Sequence, residues 1–195
     1  MSTQSRRSMV EFLEHSKVIP VVENRAQLQQ VLKTSAGKVV LLRHCNPLEL
    51  APLLQQAGQQ YAFYVNIDHI EGVHADAAGL HYLANTLGIA GILSANPKTL
   101  VIGKTEGLET VLRIFAADST GLESALEAFD PAYVDLVDVS PALAIPSIIP
   151  PLTRILPRPF IGSGLISTSE QVQAVLNAGA IGVALAQNEL NTNTA

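Results

Sequence analysis

Polar residues of kinds that bind or catalyse stand at the ends of short apolar runs throughout this chain. Arg43 and His44 follow 39–42, Asp68 and His69 follow a run ending at 67, and Ser94 and Asn96 follow 91–93. Arg113 lies near the end of 110–115, Asp138 follows 134–137, and Gly162-Ser163-Gly164 follows 159–161. Carboxylates at Asp68 and Asp138 would accept hydrogen bonds from the hydroxyls of a polyol, and Arg113 would neutralise a phosphate. In the Gly-Ser-Gly turn, glycine permits close backbone approach, amides could point at an anion, and Ser163 adds a hydroxyl donor. Gln187 and Asn188, just beyond the apolar run 182–185, would complete such a pocket if exposed amides begin a short terminal helix there. Two structural readings compete: an Arg113–Asp138 ion pair with no ligand, and a tight strand-to-helix turn at 162–164.

Other chemistries find less footing. Asp68, His69, His74 and Asp76 cluster in sequence but lack the spacing that sets two histidines on one helix face around a metal. The single cysteine, Cys45, excludes an intramolecular disulfide and a cysteine-held zinc or iron–sulfur centre, as suits a reducing compartment. Beside His44 it is an inert, partly buried thiol, since adjacent residues rarely aim both groups at one substrate. The glycine turn matches neither the dinucleotide fingerprint nor the lysine-bearing phosphate loop of nucleotide-binding proteins. No metal and no cofactor is expected.

The elements that must position these residues alternate. Apolar, β-branched runs at 18–22, 39–42, 62–67, 91–93, 110–115, 134–137, 159–161 and 182–185 read as strands. Segments 25–33, 47–58, 75–87, 98–105, 119–129, 147–154 and 168–178 read as helices between them. Asn46 before Pro47 and Asn96 before Pro97 are helix starts, while Gly58, Gly88 and Gly179 are helix stops. In the last unit Val172, Val175 and Leu176 form an apolar stripe facing a sheet. Repeated strand–helix units require right-handed crossovers and a parallel sheet, and eight strands favour closure over a doubly wound open sheet. The expected fold is α/β, a compact TIM-like (β/α) barrel with ligands at the C-terminal ends of its strands. Because roughly 250 residues is usual for that fold, 195 residues imply short loops and a reduced or missing helix. The proline-rich segment 141–159 is the irregular unit.

Composition fits this reading. The chain is 48% hydrophobic and 15% charged, with a net charge of −5, which favours an ordered core over a solvated disordered chain. The apolar runs are far below the roughly 18 residues of a membrane-spanning helix, and no secretory apolar region follows Arg6-Arg7. A soluble cytoplasmic protein without membrane partners is expected. It would form a single domain over 1–195, with an arm or short helix at 1–14 and a flexible tail at 189–195.

The text Val65-Asn66-Ile67-Asp68-His69-Ile70-Glu71-Gly72-Val73, then Gly91-Ile92-Leu93-Ser94, then Pro159-Phe160-Ile161-Gly162-Ser163-Gly164-Leu165-Ile166 resembles the glycerol-3-phosphate-responsive antiterminator family. Arg113-Ile114-Phe115-Ala116-Ala117-Asp118 and Val137-Asp138-Val139-Ser140-Pro141 are similar to its fifth and sixth strand ends. The order and spacing of these motifs extend the likeness from about Ile19 to Leu185. The resemblance implies a non-enzymatic regulator that binds glycerol 3-phosphate and acts on leader mRNA to permit transcription of glycerol-utilisation genes. It implies site roles for Asp68, Asp138, Arg113, Gly162 and Gly164, and sets Lys104 at the place of a family lysine. Ala95 and Asn96 stand where the family commonly has threonine and arginine, and Ala184, Leu185 and Ala186 replace a hydroxyl-rich stretch. Backbone amides, or Gln187 and Asn188, would then have to supply donors to the phosphate.

Composition offers RNA little: 12 Lys+Arg, no tryptophan and 5% aromatic residues supply neither a broad cationic surface nor many stacking platforms. Lys98, Lys104, Arg154 and Arg158 would have to cluster in space, and a homodimer would double such a patch. Two further functions share the same barrel: an isomerase or lyase acting on phosphorylated sugars or polyols, and a protein-interaction barrel with a degenerate pocket.

Overall fold

The strand-forming runs are largely apolar on both faces, so they can be buried only if helices cover one side and a closed interior the other. The computed structural model, which describes residues 8–34, 37–116, 118–127 and 129–186, has that arrangement. Eight parallel strands close into a barrel in chain order. They are β1 Val18–Val22, β2 Val39–Leu42, β3 Ala62–Asn66, β4 Gly91–Ser94, β5 Glu109–Phe115, β6 Leu136–Ser140, β7 Phe160–Ser163 and β8 Gly182–Ala186. Around them lie α1 Met9–Leu13, α2 Arg25–Thr34, α3 Pro47–Ala57, α4 Ala77–Asn85, α5 Pro97–Thr105, α6 Ser119–Glu127, α7 Leu152–Ile155 and α8 Ser169–Asn177. The expected Gln187, Asn188 and tail 189–195 lie outside the described residues.

Local chemistry sets several boundaries as expected. The Asn46 and Asn96 side chains accept from the amides of Leu48 and Lys98 at 3.0 and 3.1 Å, with proline at the first turn of α3 and α5. Thr168 and Gln171 form a reciprocal capping box at the start of α8.

Other boundaries differ, two of them with consequences for the site. The helix expected over 147–154 does not form: a 3-10 helix occupies Ala142–Ser147, and α7 is a single turn at Leu152–Ile155. Pro146, Pro150 and Pro151 lack the N–H a continuous helix would use, and a residue before proline is driven toward extended backbone. This is the barrel's reduced helix. Strands β4, β6 and β7, in turn, run further than their apolar runs, so Ser94, Asp138 and Ser163 lie inside strands rather than after them. A strand continues through a polar residue when that residue is buried and finds a partner there.

Following the pairing registers around the barrel sorts the inward residues into layers contributed by alternate strands. Val21, Asn66, Arg113 and Ser163 of the odd strands form one layer near the C-terminal ends of the strands. Leu41, Leu93, Asp138 and Ala184 of the even strands lie just beneath. Lower layers hold the apolar residues Ile19, Tyr64, Val111 and Ile161, then Val39 and Leu136. Gly91 faces the Tyr64 ring, where a Cβ would stand 2.5 Å from a ring carbon. Short α1 plugs the opposite end with buried Met9 and Leu13, and the Met9 amide donates to Glu109 Oε2 at 2.9 Å. The Tyr64 hydroxyl donates to the same oxygen. The interior is therefore apolar through its middle and polar under the C-terminal mouth.

Candidate functional site

Arg113, Asp138 and Ser163 come together as adjacent inward residues of β5, β6 and β7. Arg113 Nε donates to Asp138 Oδ2 at 2.7 Å, the Ser163 hydroxyl donates to the same oxygen at 3.0 Å, and Arg113 Nη2 reaches Ser163 Oγ at 3.4 Å. Asp138 is fully buried, and burial pushes its carboxyl above the ordinary carboxylate range, with Arg113 and Ser163 opposing the rise. The ion pair foreseen for Arg113 and Asp138 exists, but it leaves Asp138 Oδ1 without a hydrogen-bond partner. A fourth inward polar residue lies at the same level on β3. Asn66, level with Arg113 and Ser163, is fully buried with both side-chain polar atoms unpaired. In sequence it stands inside an apolar run and gives no motif; its one signal is a lone amide two residues after Tyr64, on the same face of the strand.

Asp68 and Ser94 form a second group at the ends of β3 and β4. Ser94 donates to Asp68 Oδ1 at 2.6 Å, the Ala95 amide donates to Oδ2 at 2.7 Å, and Ser94 Oγ accepts from the Asn96 amide at 3.0 Å. Asp68 is exposed, so its remaining lone pairs face solvent. Beside this group, at the ends of β1 and β2, Glu23 accepts two hydrogen bonds from Arg43, at 3.1 and 2.7 Å. The His44 amide donates to His69 O at 2.6 Å, and the two imidazoles meet edge-on with centroids 5.2 Å apart. Partial burial, followed by repulsion from the neighbouring His44 and Arg113, holds His69 below the ordinary histidine value. Cys45 is a buried thiol that burial pushes up to about 11, poorly suited to act as a nucleophile. Among the described residues no group of three or more His, Cys, Asp or Glu is placed to hold a metal.

Gly162 and Gly164 have different surroundings. Gly162 lies within β7, and a Cβ there would come within 2.9–3.0 Å of Ala142, Ile145 and Val175 in the helical layer. Gly164, at φ +84°, leads into Leu165 at φ +59°, so successive residues in left-handed backbone make the turn at the mouth. The Gly164 carbonyl accepts from the Ala142 amide at 3.1 Å, tying the turn to the 3-10 segment.

Lys104 does not join these residues. It ends α5 at the opposite rim, where its ammonium donates to Asp135, which also accepts from the Thr110 amide at 2.9 Å. Burial alone would raise Asp135, but the Lys104 and Thr110 hydrogen bonds outweigh it and hold the carboxyl below its ordinary value. The stability this adds is present above the unfolded carboxylate value of about 3.9 and is lost as pH falls through the lower folded value. Because both side chains are partly exposed, Lys104→Met should cost about 1 kcal/mol or less near neutrality. Paired urea melts of wild type and Lys104→Met over a range of pH would show this.

The comparisons with known proteins agree with this architecture. A glycerol uptake operon antiterminator regulatory protein from Listeria monocytogenes has a solved structure that superposes with a TM-score of 0.80 at 23% identity, covering 92% of this chain and 96% of that one. A glycerol uptake operon antiterminator-related protein from Thermotoga maritima gives a TM-score of 0.74 at 24% identity, covering 88% and 95%. An uncharacterised Escherichia coli K12 protein, YgcP, is 23% identical over 89% of this chain and 90% of its own length. The family model described as "Glycerol-3-phosphate responsive antiterminator" matches residues 18–191, and the chain belongs to that family.

Proposed function

We propose that the C-terminal mouth of the barrel is the effector site of a glycerol-3-phosphate-responsive transcriptional antiterminator. The observation that carries this reading is the buried Arg113–Asp138–Ser163 group beneath the mouth, which keeps one carboxylate oxygen unpaired. Glycerol 3-phosphate has the two chemistries the mouth offers to receive: an anion for the guanidinium groups, and hydroxyls for the carboxylates. Arg113, Arg43 and the amides of the Gly164–Leu165 turn take the phosphate, and Asp138 and Asp68 take hydroxyls. Membership of a regulatory family supports a sensor over an isomerase or lyase, and Asp138, already paired with Arg113, is not a free base.

Occupation of the mouth shifts the population toward a form that engages leader mRNA of glycerol-utilisation genes. RNA contact is made by a homodimer, which adds the cations of two copies. Within one copy the candidate basic residues are dispersed: Lys98 and Lys104 stand near opposite ends of α5, and Arg158 donates to the Pro131 carbonyl at 2.7 Å.

Calorimetric titration with glycerol 3-phosphate, inorganic phosphate and glycerol tests the ligand. The whole molecule should bind at least tenfold tighter than either part, and at a hundred times its Kd should add about 2.7 kcal/mol of stability. Filter binding of leader RNA should then strengthen with ligand. Equal affinity for the whole and its parts would end the effector reading, and ligand-independent RNA affinity would end the coupling.

A further inference from the structure

A buried side-chain amide with no hydrogen-bond partner loses its hydration without return, and Asn66 is in that position at both Oδ1 and Nδ2. Asp138 Oδ1 is the other buried side-chain polar atom left unpaired among the described residues. Both atoms lie in one region, the barrel interior immediately under the mouth, in successive layers and on strands three apart in the closed sheet. The bore of an eight-stranded barrel is only wide enough for side chains or one small ligand, so groups from β3 and β6 at this depth face a common space.

Their chemistry selects what can occupy it. Asn66 offers a donor and an acceptor, and Asp138 Oδ1 offers an acceptor. A hydroxyl both donates and accepts, so neighbouring hydroxyls on adjacent carbons can satisfy all three atoms. A phosphate oxygen cannot, because two of the three are acceptors and one belongs to a carboxylate. We propose that Asn66, together with Asp138 Oδ1, recognises the diol end of the effector, so that the ligand enters hydroxyls first and leaves its phosphate at the rim beside Arg43 and Arg113. This rests on the effector reading above and assigns its specificity to a residue within the wall of the barrel.

The test compares wild type with Asn66→Leu, nearly isosteric and apolar, and with Asn66→Ala. Each is titrated with glycerol 3-phosphate, with propane-1,3-diol monophosphate, which lacks the central hydroxyl, and with inorganic phosphate. Wild type should prefer glycerol 3-phosphate to the deoxy analogue by at least about tenfold. Both variants should bind the two nearly equally, with inorganic phosphate unaffected. Without ligand, Asn66→Leu should melt at a higher temperature than wild type, because it removes an unpaired buried amide. Retained discrimination in the variants overturns the assignment and leaves the effector reading standing. No binding of any phosphate by wild type overturns both. A lower melting temperature for Asn66→Leu overturns the assignment whatever the ligand data say, since the amide would then be satisfied inside the folded protein, by buried water for example.

Discussion

Arg113→Met should cost the fold about 3–5 kcal/mol near pH 8, because it leaves the Asp138 carboxylate buried without its partner ion. The guanidinium supplies the 2.7 Å hydrogen bond and the charge that oppose burial at Asp138. With it gone, the carboxyl rises further above its ordinary range. A raised folded-state value favours the neutral acid, so the variant keeps its stability below the unfolded carboxylate value of about 3.9 and loses it as pH climbs through the folded value. The deficit should therefore be small in acid buffer and grow toward neutrality. Urea melts of wild type and Arg113→Met at several pH values would display this slope. Adding Asp138→Leu should restore most of the loss and flatten it, since a buried ion pair exchanged for apolar side chains is often neutral in stability. A loss of the same size at every pH would mean that Arg113 contributes packing rather than charge.

The same buried carboxylate explains what the sequence reading reached and where it stopped. Strands β1 and β2 fall where a run of four or five apolar residues leaves no solvent face, and such runs are legible without tertiary context. The ends of β6 and β7 were not, because whether Asp138 and Ser163 stop a strand depends on Arg113, 25 and 50 positions away. Asn66 escaped for the converse reason: an amide within an apolar run looks tolerated until register shows that it faces the bore. Lys104 was placed by likeness of motif, but α5 carries it from the rim where the helix begins to the one where β5 starts. Helix length, at about 1.5 Å per residue, decides which rim such a residue serves.

One layer above Asn66 and Arg113, the registers bring Arg43, Ala95, Ser140 and Ala186 to the mouth. Two alanines there leave room but no donors on the β4 and β8 sides. The cationic side chains at this end come from β2 and β5, and Arg113 of β5 reaches Ser163 Oγ, beside the Gly164 turn, at 3.4 Å. In the effector reading proposed above, Arg43 and Arg113 would hold a phosphate at the rim, with Asn66 and Asp138 Oδ1 deeper in the bore.

Gly162→Ala should separate the two glycines of that turn. The added Cβ would lie 2.9 Å from Ala142 Cβ, 2.9 Å from Ile145 Cδ1 and 3.0 Å from Val175 Cγ1. Ala142 has no rotamer by which to retreat, and Val175 is a β-branched residue fixed in α8, so the 3-10 segment itself must move. Overpacking of this kind costs about 1–3 kcal/mol. The contacts lie on the outer side of the wall, so affinity for inorganic phosphate should change by less than about threefold, under ~0.7 kcal/mol. Gly164→Ala places a Cβ 3.3 Å from Ser140 Oγ on a residue at φ +84°, and under the proposed phosphate role of this turn it should weaken phosphate binding more than Gly162→Ala does, because it strains the left-handed backbone of the turn itself. Urea melts and phosphate titrations on the two variants check both halves. If Gly162→Ala abolished phosphate binding while leaving stability intact, Gly162 would be a ligand contact rather than a packing position between barrel and helices.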